Sequence, residues 1–276
     1  MSNRDQKVVN DFGDEWDKYP QNSVSEQSLK NAFDQYFNIF PFHKLPKTAE
    51  GFDMGCGSGR WAQFVAPRVN KINCIDPSVK ALNIAKQNLA SHANVSFVNA
   101  SVDQANLQNH SQDFGYCLGV LHHIPNTLEG LKDCANLLKP GAPFLLYLYY
   151  KFDDKPFWFK LLYKVSNFIR LRITSWLPFQ LKVLVTFLIA CFIYFPFARV
   201  ALMMEKLNLN VENVPLTDYR NKPFYFMKTD ALDRFGTKLE KRFSKKEIIA
   251  LLEEAGFEKI SFSNHMPKWV CISYKK

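Results

Sequence analysis

The stretch EGFDMGCGSGRWAQF, residues 50–64, places Gly55, Gly57 and Gly59 at alternate positions directly after an apolar run. Glycines so spaced let backbone N–H groups approach a ligand with no Cβ in the way. Asp53, at the end of the run, can accept hydrogen bonds from a cationic or amine-bearing ligand across the turn. Twenty-three residues on, Asp76 ends a second run in CIDPS, where a carboxylate can accept both hydroxyls of a ribose. Asn99, Ser101, Val102 and Asp103 follow a third run, where a base edge would lie. Further along, VLHHIP supplies His122 and His123, and LLYLYY supplies Tyr147, Tyr149 and Tyr150, all able to handle a proton. The chemistry is that of an amine-bearing nucleoside ligand with acid–base groups beside it. The third glycine falls one place earlier than in the GxGxxG dinucleotide fingerprint, which argues against a nicotinamide cofactor.

These residues need elements to hold them. Short apolar runs at 50–54, 71–75, 95–99, 114–119 and 143–149 alternate with helical patterns at 59–67, 78–91 and 127–138, the rhythm of a parallel α/β sheet. The ligand residues all fall where such strands end. Before them, residues 1–47 read as a helical segment, with Ser23 and Glu26 in capping-box spacing. After a break of about 90 residues the rhythm returns. Ser244 and Glu247 form a second capping box, a helix closes at Gly256, and EKISFSN and KWVCISY read as an antiparallel hairpin about His265, Met266 and Pro267.

Taken together, DMGCGSGRW, CIDPS, FGYCLGVLHHIPN and LLKPGAPFLLYLY resemble the class I S-adenosylmethionine-dependent methyltransferases of the type 11 kind. The resemblance covers roughly 49–150 and 244–276. It implies an α/β fold: a Rossmann-like seven-stranded sheet with a reversed last strand, an N-terminal helical segment and a large, mostly helical insertion after strand five. It implies S-adenosyl-L-methionine as cofactor, with Asp53, Gly55 and Gly57 about its methionine part and Cys56, Gly59 and Pro77 in the same turns. Asp76 would hold the ribose, Ser101 and Val102 would meet the adenine, and Leu118 and Gly119 would line the sulfonium side. For an O–H or N–H acceptor, His122 or His123 is the candidate base, with Tyr150 behind them. The NPPY-like motif of nucleobase amine methyltransferases is absent after strand four. The acidic residues that would suit a metal are replaced by Gly119 and His122, so no metal is expected.

The domain plan is therefore an N-terminal cap (1–47), a cofactor-binding core (48–150), an insertion or lid (151–243) and a closing helix with hairpin (244–276). The insertion holds most of the charge: residues 155–204 have seven basic side chains, no acidic one and twelve aromatics, giving +7 of the chain's formal +9. Within it Val183–Ala198 carries no charge over sixteen residues. A single membrane crossing is excluded, because the segments after it must complete the sheet begun before it. The alternatives are a cap over the active site, a homodimer contact through the apolar run, or an anionic membrane surface met through 155–204, where each basic residue gains roughly 1 kcal/mol. Tyr219, Arg220 and Arg234 are candidate substrate-binding groups, the arginines suiting an anionic group.

The six cysteines show no CxxC pair, which predicts reduced, buried thiols. The N-terminus has no apolar signal region, which predicts a cytoplasmic protein, peripheral on the inner face of the membrane if the insertion binds lipid. The expected function is methyl transfer to a small or amphiphilic, lipid-linked metabolite. The alternatives are an RNA methyltransferase, disfavoured by the long uncharged run, and a non-catalytic S-adenosylmethionine-binding activator.

Overall fold

The computed structural model describes residues 2–20, 24–265, 267 and 269–276. It divides into two compact units: Met1–Lys151 with Leu239–Lys276, and Phe152–Lys238.

The first unit opens with α1 (Gln6–Lys18) and α2 (Glu26–Phe37). Asp5 caps α1 by accepting from the backbone N–H groups of Lys7 and Val8. Ser25 caps α2 by accepting from Ser28. The expected cap, Ser23, lies outside the described residues, and Glu26 is the first helical residue rather than the third, so the cap falls on Ser25.

The sheet then builds through β1 (Glu50–Met54), α3 (Ala62–Val65), β2 (Lys71–Asp76), α4 (Val79–Asn88), β3 (Val95–Asn99), β4 (Phe114–Leu118), α5 (Thr127–Leu137) and β5 (Pro143–Tyr147). It closes with α10 (Lys245–Glu254), β6 (Phe257–Phe262) and β7 (Val270–Lys275). The strand order is β3-β2-β1-β4-β5-β7-β6. All pairs are parallel except those of β7, which runs antiparallel to both β5 and β6. This is the seven-stranded sheet with a reversed last strand. β1, β2, β4 and β5 are almost wholly buried, as parallel strands covered on both faces must be. Helix α3 is shorter than the expected 59–67: Gly59 is in the left-handed region, and Pro67 sits in a 3₁₀ turn, Ala66–Arg68, that ends it.

At the centre of the sheet, β1 and β4 interlock by size. Gly51 pairs with Phe114 and Phe52 with Gly115. A Cβ on either glycine would overlap the facing phenylalanine ring. Phe52 thus joins the core on one face, with Phe144 and Phe257, and Phe114 joins the other, with Phe33 and Phe37. Both capping-box bonds of Ser244 and Glu247 are present at the start of α10. The turn residue Met266 lies outside the described residues.

The second unit holds α6 (Phe157–Arg172), α7 (Phe179–Ile189), α8 (Phe195–Lys206) and α9 (Phe224–Gly236). A π-helical turn, Ala190–Tyr194, joins α7 to α8, so Phe179–Lys206 is one helical run. Among the described residues it is the one helix long and apolar enough, by length and composition, to cross a membrane. Residues 239–243, counted with the insertion from sequence, belong to the first unit: Phe243 N donates to Tyr149 O at 2.8 Å, and Lys151 N to Phe243 O at 3.1 Å.

Candidate active site

The candidate site lies in the first unit at the carboxyl ends of β1, β2, β4 and β5, beside the point between β1 and β4 where strand order reverses. Ligands of open α/β sheets bind there. The turn after β1 is pinned to β2: Gly55 and Cys56 both donate to the Ile75 carbonyl, at 2.8 and 3.1 Å. Gly57 N donates to Asp76 Oδ2 at 2.9 Å, and Ser78 N to Asp76 Oδ1 at 2.8 Å. Each Asp76 oxygen so engaged keeps a lone pair for a ribose hydroxyl. Burial raises the Asp76 carboxyl to about 6, and the two backbone N–H groups oppose that rise.

Asp53, 1% exposed, has an Oδ2 with no hydrogen-bond partner. Burial lifts its carboxyl to about 8; the Tyr116 hydroxyl eases its ionisation without reaching hydrogen-bond geometry, and the Asp76 charge opposes it. A buried carboxylate oxygen left unpaired beside a glycine turn fits an ammonium-bearing ligand such as the methionine end of S-adenosylmethionine, whose charge would hold Asp53 ionised. Gly57, with φ +54°, has its missing side chain facing Trp16: a Cβ there would lie 2.8 Å from the indole. At the base position, Ser101 Oγ donates to Asp103 Oδ1 at 2.6 Å and Asn3 N to Asp103 Oδ2 at 3.2 Å. Partial burial works to raise the Asp103 carboxyl, yet these bonds hold it below the usual carboxylate range. Val102 is buried beside them.

After β4, Leu118 is buried and Gly119, φ +82°, donates to the Tyr147 carbonyl at 3.1 Å. Both histidines that follow are buried. His123 Nδ1 lies 2.7 Å from the Leu239 carbonyl. A carbonyl only accepts, so Nδ1 carries the proton and Nε2 is the basic nitrogen. His122 packs its ring on Tyr149, centroids 3.8 Å apart.

A run of ring contacts links these groups to α1 and α2. Phe12 meets His123 at 4.9 Å, His123 meets His122 at 4.1 Å, and Tyr149 meets Tyr147 at 5.8 Å. Tyr147 meets Tyr36 at 5.2 Å, and Tyr36 meets Trp61 at 4.9 Å. The Arg60 guanidinium extends the run, 4.4 Å from the Trp61 centroid and 5.5 Å from that of Trp16. Trp16 and Phe12 are neighbours one turn apart on α1. Tyr149, rather than Tyr150, completes the histidine pair; the Tyr150 ring stands edge-on to Trp269 at 5.2 Å.

The structure brings Asp53, Gly55, Cys56, Gly57, Gly59, Asp76, Pro77, Ser101, Val102, Leu118, Gly119, His122 and His123 to the strand ends of one unit. Tyr219, Arg220 and Arg234 belong to the second unit and are engaged within it. Tyr219 donates to Asp230 Oδ2 at 2.6 Å. Two Arg220 nitrogens donate to Glu205 Oε1, at 2.7 and 2.9 Å, and Arg234 lies over the Tyr219 ring. Trp16, Phe12, Tyr36 and the Leu239 carbonyl escape a reading of the sequence, since each comes from a distant segment. The one local signal is the helical spacing of Phe12 and Trp16.

Residues 52–141 match the family model described as a methyltransferase domain. A ubiquinone biosynthesis O-methyltransferase of Nitrosospira multiformis is 35% identical over 92 residues, 33% of this chain and 38% of that protein. The same-named protein of Serratia proteamaculans is 32% identical over 94 residues, 33% of this chain and 38% of that protein. The chain thus spans well under half the length of these relatives. Among solved structures, a SAM-dependent methyltransferase of Thermotoga maritima shares the fold with a TM-score of 0.51 at 14% identity, covering 98% of this chain and 100% of that one. A Bacillus halodurans protein does so with a TM-score of 0.52 at 18% identity, covering 84% and 72%. The glycine turn bonded to Asp76 and this sheet order agree with the match: residues 52–141 are a methyltransferase domain, on the fold of the class I methyltransferases.

Proposed function

We propose that the protein moves a methyl group from S-adenosylmethionine to a hydroxyl of an amphiphilic metabolite with an apolar body, in the cytoplasm, with His123 as general base. The observation that carries this reading is His123, held by the Leu239 carbonyl and packed between the rings of Phe12 and His122. The relatives' printed name, an O-methyltransferase of ubiquinone biosynthesis, favours an oxygen acceptor.

Bound cofactor supplies a methyl already activated by positive sulfur. The chain's own work is alignment and exclusion of water. Asp53 would hold the ammonium, Asp76 the ribose and Asp103 the base edge. The aromatic side chains give an apolar acceptor a dry seat and offer π faces to a sulfonium. His123 Nε2 takes the hydroxyl proton as the oxygen attacks, and Tyr149 and Phe12 keep the imidazole pair in place.

Methyl-labelled S-adenosylmethionine, incubated with the protein and a cell extract, tests this. Label in the organic-soluble fraction is expected. Label on RNA, or in water-soluble metabolites alone, would overturn the acceptor class. Cofactor binding with no transfer to any fraction would support a non-catalytic role.

A further inference from the structure

The second unit has a small core about Ala190, Tyr194, Tyr219 and Met227 and leaves many of its large apolar side chains outside it. On its helices the large apolar side chains face outward: Phe157 is 78% exposed and Phe192 74%, while Trp158, Phe168, Trp176 and Met203 are half or more exposed. Polar side chains are buried instead, among them Arg170, Thr174, Ser175, Lys182 and Thr186. Arg170 donates to the Thr237 carbonyl at 2.8 Å and to Asn167 at 2.7 Å.

The run Phe179–Lys206 shows how this is achieved. Its buried positions are Lys182, Thr186, Ala190, Tyr194 and Ala198, spaced by four, and then Ala201 three residues on. A strict four-residue spacing drifts round an α-helix of 3.6 residues per turn. The π turn Ala190–Tyr194 takes up the drift and keeps the stripe on one face. Leu184, Phe187, Phe192 and Val200 are left on the other side. In water this arrangement exposes what the hydrophobic effect would bury; against lipid it is the favourable one.

We infer that the second unit docks on an anionic lipid bilayer, with α6 and the run Phe179–Lys206 lying along one leaflet. Charge selects this partner. Of the seven basic side chains of 155–204, which has no acidic one, Arg170 and Lys182 are buried; the other five are exposed or half-buried, Lys164 and Arg172 on α6 being exposed. Trp158 and Trp176, near the two ends of that helix, suit the headgroup level. A two-fold contact with a second copy would bring the same basic surface onto itself. Because β6 and β7 complete the sheet begun by β1–β5, both ends of the insertion stay on one side, which rules out a single crossing and favours a helix lying on the membrane. This inference does not rest on the proposed reaction, since docking is read without turnover.

The test is co-sedimentation of the full chain with phosphatidylcholine vesicles, with and without about one third phosphatidylglycerol, at low and high salt. Binding is expected to the anionic vesicles and to weaken with salt. Replacing Lys164 and Arg172 by Gln should weaken it about fivefold each, following roughly 1 kcal/mol per basic residue. Phe157→Ser with Phe192→Ser should weaken it further, with S-adenosylmethionine affinity unchanged as the check on folding. Should that variant fail to fold, the wild-type protein still decides: lipids brominated along the acyl chain should quench its tryptophan emission. Equal binding to neutral vesicles would overturn the anionic assignment. Absence of vesicle binding, with a concentration-dependent dimer in sedimentation, would overturn the inference in favour of self-association.

Discussion

If Asp53 pairs with the cofactor's ammonium as proposed, cofactor binding and stability pull on it in opposite directions. Its folded pKa, about 8, lies above its ordinary value. Stability from keeping it protonated is therefore complete in acid and lost as pH rises through about 8; Asp76 adds the same trend up to about 6. Asp53→Asn should remove the Asp53 part. The variant without ligand should melt a few degrees higher than wild type at pH 8, yet bind S-adenosylmethionine about 10- to 100-fold more weakly for want of a charge-assisted bond. Calorimetric melts and titration with the cofactor check both halves, and an unchanged affinity would remove Asp53 from the site. His123→Gln should cut kcat by about 100-fold or more, as loss of a general base does, with cofactor affinity unchanged. His122→Asn should cost less, because its ring packs on Tyr149 rather than being aimed by a backbone carbonyl.

At the scale of elements, the reciprocal glycine and phenylalanine pairs of β1 and β4 set how closely the two central strands pack. Gly51→Ala or Gly115→Ala forces a methyl into a fixed ring, and each should lower stability by about 1–3 kcal/mol, as overpacking does. Chemical denaturation checks this, and a neutral result would mean the rings can turn aside. Ser244→Ala should cost about 1 kcal/mol by removing the cap of α10. Most of these strands and helices were legible beforehand, because parallel strands buried on both faces leave uninterrupted apolar runs. The exceptions have local causes. Pro67 shortens α3, and Ser25 takes the cap that spacing assigned to Ser23.

At the scale of the molecule there are two units with separate cores, one on both faces of the sheet and one about Ala190, Tyr194, Tyr219 and Met227. Unfolding should therefore depart from two-state behaviour. S-adenosylmethionine at a hundred times its Kd should raise the transition of the first unit by about 2.7 kcal/mol. The second transition should respond to anionic vesicles instead. Followed by circular dichroism and tryptophan emission, a single coincident transition would show that the units fold as one.

By itself, the amino-acid sequence determined the sheet, its reversed last strand and the placing of Asp53, Gly55, Gly57 and Asp76 at the strand ends. A glycine turn and its carboxylates are local in the chain, and strand ends bring them together in a fixed order. It also located the charge and grease of 155–204, which are matters of composition. Only the tertiary structure decided which way that grease faces, through the π turn that keeps Tyr194 and Ala198 in line with Lys182, Thr186 and Ala190. It likewise decided which histidine has its proton placed, since the Leu239 carbonyl lies 116 residues away from His123. Trp16 against Gly57 and Tyr149 against His122 have the same character. Such contacts depend on how segments far apart in sequence pack, and no local pattern of residue types encodes that.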